Sequence, residues 1–159
     1  MGVIVPREEL EDLSRLLRAK GKHIITTNGC FDLLHVGHVR ILKRARELGD
    51  VLIVGINSDK SVQKLKGKAR PITGQDDRAE ILASLSSVDY VTIFSEDTPI
   101  EFLKAVRPDI HVKGSDYLAC DLAETPVVES FGGAVQILEL VPNRSTSSIV
   151  ARIYAEEGD

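Results

Sequence analysis

The sequence predicts an α/β fold, in which helices cover both faces of a parallel β-sheet. Short apolar runs of strand length alternate along the chain with amphipathic helical patterns, as expected for parallel strands joined by helical crossovers. The run at residues 51–56 is continuously apolar, which is typical of a strand buried on both faces. With 159 residues, of which 43% are hydrophobic, the chain suits a single domain over residues 1–159.

The predicted elements follow one another in a regular order. The first is a helix that begins after Pro6 and ends at Ala19, with acidic residues in its first turn and leucines on one face. Strands are then predicted at 23–27, 51–56, 88–94, 110–113 and 134–140. Helices are predicted at 38–48, 76–87, 123–131 and 149–154, and a further helix, between the strands 88–94 and 110–113, ends near 106. This alternation predicts a three-layer α/β/α arrangement, a Rossmann-like doubly wound parallel sheet, whose ligands bind where the winding reverses.

Composition and charge exclude several classes of protein. The formal net charge is −4 and its signs are interspersed, so the chain has no basic stripe for a nucleic acid. Cys30 and Cys120 are far apart and form no C-x-x-C pair. Because no hydrophobic signal segment begins the chain and no apolar run approaches twenty residues, the sequence predicts a soluble, cytoplasmic protein that binds neither nucleic acid nor membrane.

One junction between a strand and a helix, at residues 26–38, concentrates polar chemistry. Gly29 and Gly37 let the backbone approach a ligand closely, and the helix that follows directs its unpaired N–H groups at the same turn, which favours phosphate. His35 and His38 lie on one side if the first helical turn reaches back to His35. On spacing alone, structural histidines are the commonest explanation and phosphate binding comes next. A metal site is least favoured, because the next histidine is His111 and no ligand set has a familiar spacing.

Residues 29–38 resemble the Gly-x-Phe-Asp-x-x-His-x-Gly-His signature of the cytidylyltransferase-like nucleotidyltransferases, the HxGH type. The longer run 27–32 is similar to the adenylyltransferase domain that makes ADP-heptose, and the likeness extends from about Thr26 to Ile153. The resemblance implies transfer of AMP from ATP to a sugar 1-phosphate, D-glycero-D-manno-heptose 1-phosphate, with release of pyrophosphate. It also implies Mg²⁺ accompanying the ATP and a homodimer.

The resemblance also implies roles for individual residues. His35, His38 and Lys66 would be catalytic, with Lys66 in a mobile loop at 57–74 that would otherwise be taken for a solvated surface. The nucleotide would be bound by Asn28, Gly29, Cys30, Phe31, Gly37, Arg78, Ser145 and Thr146. Asp32 and Asp116 would bind the acceptor, although Asp116 is equally suited to steadying its loop. No dedicated metal ligands are visible, and the roles of Lys68 and Arg144 stay open.

Two other functions are compatible with these residues. A cytidylyltransferase would carry out the same reaction with CTP and glycerol 3-phosphate or another alcohol phosphate, because groups that bind phosphate do not read the base. A regulatory protein that binds nucleotide without turnover belongs to a different class, and the intact pair of histidines speaks against it.

Ser115 and Ser147 depart from the family pattern, which has glycine and threonine there.

Overall fold

The computed structural model describes residues 1–116, 118–139, 142 and 145–156. It contains a six-stranded sheet in which every pair of neighbouring strands is parallel. The strands are β1 (Val3–Ile4), β2 (Ile24–Gly29), β3 (Val51–Asn57), β4 (Tyr90–Phe94), β5 (Ile110–Gly114) and β6 (Ala134–Leu138), in the spatial order β1-β4-β3-β2-β5-β6. The winding therefore reverses between β2 and β5, as the doubly wound prediction requires.

The described part of the chain contains seven α-helices, of which the first six lie between strands and the last follows β6. They are α1 (Leu10–Ala19), α2 (Val36–Arg46), α3 (Asp59–Lys66), α4 (Gln75–Ala83), α5 (Ile100–Val106), α6 (Glu124–Ser130) and α7 (Thr146–Glu156). Buried residues of α2 and α4 pack on one face of the sheet, and those of α1, α5 and α6 pack on the other. This is the predicted three-layer arrangement.

The core lies on both sides of β3, which is the most deeply buried strand. Every residue of β3 is buried, as its continuous apolar run predicted. Leu52, Val54 and Ile56 point toward α2 and α4, whereas Val51 and Ile53 point toward α1 and α5. No helix in the described part of the chain combines the length and apolar character that a membrane crossing needs.

The structure corrects two predictions about elements. β1 was not predicted; it has two residues, Val3 and Ile4, both exposed, and pairs with Tyr90 and Val91 at the edge of the sheet. The segment at 57–74 is not wholly a loop, because α3 occupies its first half. The Ser58 side chain accepts a hydrogen bond from Ser61 N, 3.3 Å, at the start of α3.

Candidate active site

A cleft of about 450 Å³ opens at the carboxyl ends of β2 and β5, where the winding reverses. Most of the residues that the sequence singled out lie in its wall: Asn28, Gly29, Cys30, Phe31, Asp32, His38, Lys66, Asp116 and Thr146. His35, Gly37, Arg78 and Ser145 are not part of that wall. A segment of β2, the start of α2 and the end of α3 thus meet at one place, although they are far apart in sequence.

The side chains of the two histidines cap the start of α2. His35 is the N-cap, and its Nδ1 accepts a hydrogen bond from Gly37 N, 3.1 Å. The Nδ1 atom of His38 accepts from His35 N, 3.4 Å. The rings are stacked, with centroids 3.8 Å apart. Because each Nδ1 accepts a hydrogen bond from a backbone N–H, the neutral ring must carry its own proton on Nε2.

Burial sets the charge of this pair. It lowers the pKa of His38 to about 4, and the neighbouring charges of His35 and Lys66 act in the same direction. Burial also lowers the pKa of His35. Near neutral pH both rings are therefore uncharged donors rather than cations, and an anion placed against them would be held by N–H groups.

Phe31 has an unusual backbone conformation beside the histidines. Its φ is 47°, in the left-handed region, and its ring centroid lies 5.1 Å from that of His38. A Cβ atom on Gly29 would lie 3.1 Å from the Phe31 ring, so glycine makes room for that ring. A left-handed conformation costs an aromatic residue on the order of 1–2 kcal/mol, which the surrounding packing must offset.

Asp32 holds a neighbouring segment in place. Its side chain is buried, and Oδ1 accepts hydrogen bonds from Ile72 N, 2.7 Å, and Thr73 N, 3.0 Å. Arg70 Nε lies 3.1 Å from Oδ2, an ion-pair contact that does not meet hydrogen-bond geometry. The carboxylate that was expected to bind the acceptor is thus occupied by the segment at 70–73, although it lines the cleft.

The structure does not place Arg78 where the resemblance implied. Its guanidinium is fully buried, and it donates to the carbonyl oxygens of Thr73, Cys30 and Asn57 and to Asp59 Oδ1. These partners come from three separate parts of the chain. Arg78 therefore fixes the wall of the cleft from behind, and the predicted contact with the nucleotide phosphates is not available in this conformation.

Lys66 is the last residue of α3 and lines the cleft. Gly67, which follows it, has a φ of 96° and ends the helix. Lys64 is instead paired with Asp97, 2.9 Å, on the exposed surface. Lys68 is not among the residues that line the cleft. The lysine that the sequence favoured is thus on a helix end rather than in the predicted mobile loop.

The start of α7 forms another part of the wall. Thr146 is buried and its hydroxyl donates to Leu33 O, 3.2 Å, which ties α7 to the histidine turn. Ser145 caps the helix, since its Oγ accepts from Ser148 N, 3.1 Å. Arg144, whose role the sequence left open, lies outside the described residues.

The environments of Cys30 and His111 do not favour a catalytic role for either side chain. Burial raises the pKa of the Cys30 thiol, which makes it a poor nucleophile. His111 is fully buried in β5 and its Nδ1 lies 2.8 Å from Thr26 Oγ1, while its Nε2 has no hydrogen-bond partner in the described part of the chain. The environment lowers the pKa of His111 to about 3, chiefly by burial.

Sequence reasoning missed two features of the cleft. Lys113 lines it and forms a buried ion pair with Glu124. Asn28 was predicted, but not that its side-chain oxygen would be buried without a hydrogen-bond partner among the described residues. The signal for Lys113 was its place at the carboxyl end of a predicted strand. Within the described ranges, no group of three or more histidine, cysteine or acidic side chains could hold a metal ion.

Proteins of known function are similar in sequence to most of this chain. The bifunctional protein HldE of Syntrophotalea carbinolica is 52% identical over 147 residues, which are 92% of this chain and 30% of that protein. HldE of Nitratiruptor sp. is 53% identical over 146 residues, 92% of this chain and 31% of that protein. The chain thus spans somewhat less than a third of the length of these relatives.

Two solved structures are also similar. A lipopolysaccharide core biosynthesis protein from Thermoplasma volcanium has a TM-score of 0.62 and 29% identity, over 76% of this chain and 98% of that one. The pantoate-beta-alanine ligase of Francisella tularensis has a TM-score of 0.65 over 98% of this chain and 78% of that one, but at 18% identity it supports the fold alone. Residues 26–152 match the family model described as cytidylyltransferase-like, and the chain belongs to that family.

Proposed function

We propose that the chain is an adenylyltransferase that transfers AMP from ATP to a sugar 1-phosphate and releases pyrophosphate. The observation that carries this proposal is the pair of histidines at the start of α2, whose Nδ1 atoms accept hydrogen bonds from backbone N–H groups and whose Nε2–H groups are thereby left for a ligand. Such fixed donors suit phosphate oxygens on which negative charge builds up during transfer.

The reaction needs no protein nucleophile. A phosphate oxygen of the acceptor attacks the α-phosphorus of ATP and forms a new P–O bond. The bond between the α-phosphorus and the oxygen that bridges to the β-phosphorus breaks, and pyrophosphate leaves with the electron pair. His38 would donate Nε2–H to an oxygen of the reacting phosphates and His35 to a neighbouring one, while Lys66 and the start of α7 would hold the rest of the triphosphate.

Mg²⁺ is proposed to accompany the ATP. An ion of this kind is commonly held by substrate phosphates together with one or two carboxylates. The cleft fits that mode of binding because Asp97 and Asp116 line it, even though Asp97 also pairs with Lys64 and no complete set of metal ligands is present in the described ranges. When bound, the ion would neutralise charge on the phosphates.

The proposed acceptor is D-glycero-D-manno-heptose 1-phosphate, which would give ADP-heptose. Support comes from the resemblance at residues 27–32 and from the identity of about half of the residues to the HldE proteins. A homodimer is proposed on the same resemblance, and a cytoplasmic location is proposed on the two distant cysteines and the lack of an apolar run near twenty residues. Light scattering on the purified chain tests the dimer, since a monomeric mass would exclude it.

The test is a panel of nucleotides and acceptors with pyrophosphate release as the readout. ATP and CTP are each paired with heptose 1-phosphate, a hexose 1-phosphate and glycerol 3-phosphate. We expect the highest kcat/KM for ATP with heptose 1-phosphate. A preference for CTP and glycerol 3-phosphate would replace the proposal with the cytidylyltransferase alternative. Tight ATP binding with no pyrophosphate release for any acceptor would indicate a regulatory protein.

A further inference from the structure

An ion pair that the mechanism above does not use lies at the end of β5. Lys113 Nζ is 3.1 Å from Glu124 Oε1, and the two side chains are only 11% and 10% exposed. Glu124 is the first residue of α6. Removing two charges from water costs free energy that their attraction often only balances, so stability alone gives little reason for the pair. A function for it is therefore worth seeking in the cleft that Lys113 lines.

Lys113 approaches the cleft from the face of the sheet opposite to the histidines. Val112, the preceding residue of β5, packs in the core beside α2 and α4. Because neighbouring residues of a strand point to opposite faces, Lys113 points toward α6, where it meets Glu124. His38 is on α2. The cleft thus receives polar groups from both faces of the sheet, and Lys113 supplies the cation on the α6 side.

The charges in the cleft show what Lys113 could bind. Lys66 and Lys113 are the only lysine or arginine residues among the described residues of the wall, and burial keeps His38 uncharged near neutral pH. The proposed reaction brings a triphosphate and a phosphate monoester into contact, and two such anions repel each other. If Lys66 and the start of α7 hold the triphosphate, Lys113 is the cation that is left for the second phosphate.

We propose that Lys113 binds the phosphate group of the acceptor, and that Glu124 positions its ammonium group before the acceptor arrives. The inference rests on the proposed function, since it requires an acceptor that carries a phosphate. Lys113 is an acceptor-binding residue, because it contacts the attacking phosphate, and Glu124 is a positioning residue that acts through it. The phosphate dianion of the acceptor competes with Glu124 for the ammonium group. Lys113 thus pairs with Glu124 when the cleft is empty and with the acceptor phosphate when the acceptor is bound.

The test separates binding of the acceptor from structural support. Lys113→Met alone leaves Glu124 buried without its cation and is expected to destabilise the protein. The double variant Lys113→Met with Glu124→Gln removes both charges together and keeps the side-chain volumes similar. Lys113→Arg keeps the positive charge. Lys104→Met is the matched control, because Lys104 forms an exposed ion pair with Glu101 on α5, away from the cleft.

Initial rates of pyrophosphate release are measured with the acceptor that the wild type uses best. We expect the double variant to raise KM for the acceptor by about tenfold or more and to leave KM for ATP within about twofold, as for loss of one charged contact. Lys113→Arg and Lys104→Met should keep KM for the acceptor within about threefold of the wild-type value. Thermal denaturation of each variant confirms that it is folded.

The remaining outcomes each overturn the inference. If the wild type transfers AMP and the double variant keeps its KM for the acceptor, Lys113 and Glu124 only support the fold. If KM for ATP rises instead, Lys113 binds the nucleotide and not the acceptor. If the wild type transfers AMP to no sugar phosphate, the proposed function fails and the inference fails with it.

Discussion

At the scale of single residues, the histidine pair has two roles that reinforce each other. Each Nδ1 satisfies a backbone N–H at the start of α2, which a helix otherwise leaves unpaired. The same hydrogen bonds fix which nitrogen carries the proton and hold the rings in a stack. The sequence could indicate that both rings share one side of a helix. It could not indicate the tautomer, which depends on the side-chain hydrogen bonds at the start of α2, or the lowered pKa of His38, which depends chiefly on burial in the folded protein.

His111 makes a prediction about stability and pH. Its pKa in the folded protein, about 3, lies below the ordinary value of 6.5. Between these values the unfolded chain binds a proton that the folded protein does not, so this contribution to the free energy of unfolding is complete above pH 6.5 and is lost as the pH falls. The loss is about 1.4 kcal/mol per pH unit, or about 2 kcal/mol between pH 6.5 and 5.

Urea denaturation of the wild type and of His111→Asn at several pH values measures this effect. The asparagine amide can still pair with Thr26, but it does not titrate. We expect the variant to lose about 2 kcal/mol less than the wild type between pH 6.5 and 5. Parallel curves for the two proteins would show that His111 is not held neutral in the folded state.

At the scale of elements, α3 shows where the sequence was ambiguous. Residues 57–74 carry five cationic side chains and two glycines, which favours a solvated loop. The helix nevertheless forms because Ser58 caps its start, Val62 is buried on the sheet, and Gly67 ends it. One buried apolar residue is too weak a pattern to predict a helix of eight residues, although the serine and the glycine were visible.

Arg78 acts at the same scale, because its side chain forms hydrogen bonds to several separate parts of the chain. Sequence spacing placed it at a helix start but could not show that the carbonyl groups of Cys30, Asn57 and Thr73 converge there. Arg78→Lys retains the charge and loses the planar fork, so several buried carbonyl groups lose their donors. We expect the free energy of unfolding, measured in urea, to fall by about 2–4 kcal/mol.

The control for this variant is Arg15→Lys. Arg15 is exposed on α1, so loss of its planar guanidinium should leave the free energy of unfolding almost unchanged. ATP affinity is measured alongside by isothermal titration calorimetry. If Arg78→Lys left the unfolding free energy unchanged and weakened only the binding of ATP, Arg78 would contact the nucleotide directly. That result would restore the role that the resemblance implied.

At the scale of the whole molecule, most of the fold was predictable from the sequence, but the edge strand β1 and one ion pair were not. The alternation of buried strands and amphipathic helices predicted the parallel sheet, its two covered faces and a site at strand ends, because these follow from local periodicity. The two-residue strand β1 was missed since Val3 and Ile4 are exposed and too short for a pattern. The ion pair of Lys113 and Glu124 was missed because it depends on how α6 packs against β5.

In the proposed reaction the histidine pair stabilises the phosphates while pyrophosphate leaves. The most direct measurement is kcat for pyrophosphate release by His38→Ala, with ATP and acceptor saturating and Val39→Ala, an exposed neighbour on α2, as the control. We predict that His38→Ala lowers kcat by about 10² or more, as for loss of a transition-state donor, while the protein stays folded with a Tm a few degrees lower, because the hydrogen bond from His35 N is lost. Near-normal turnover by a folded His38→Ala protein would contradict the account.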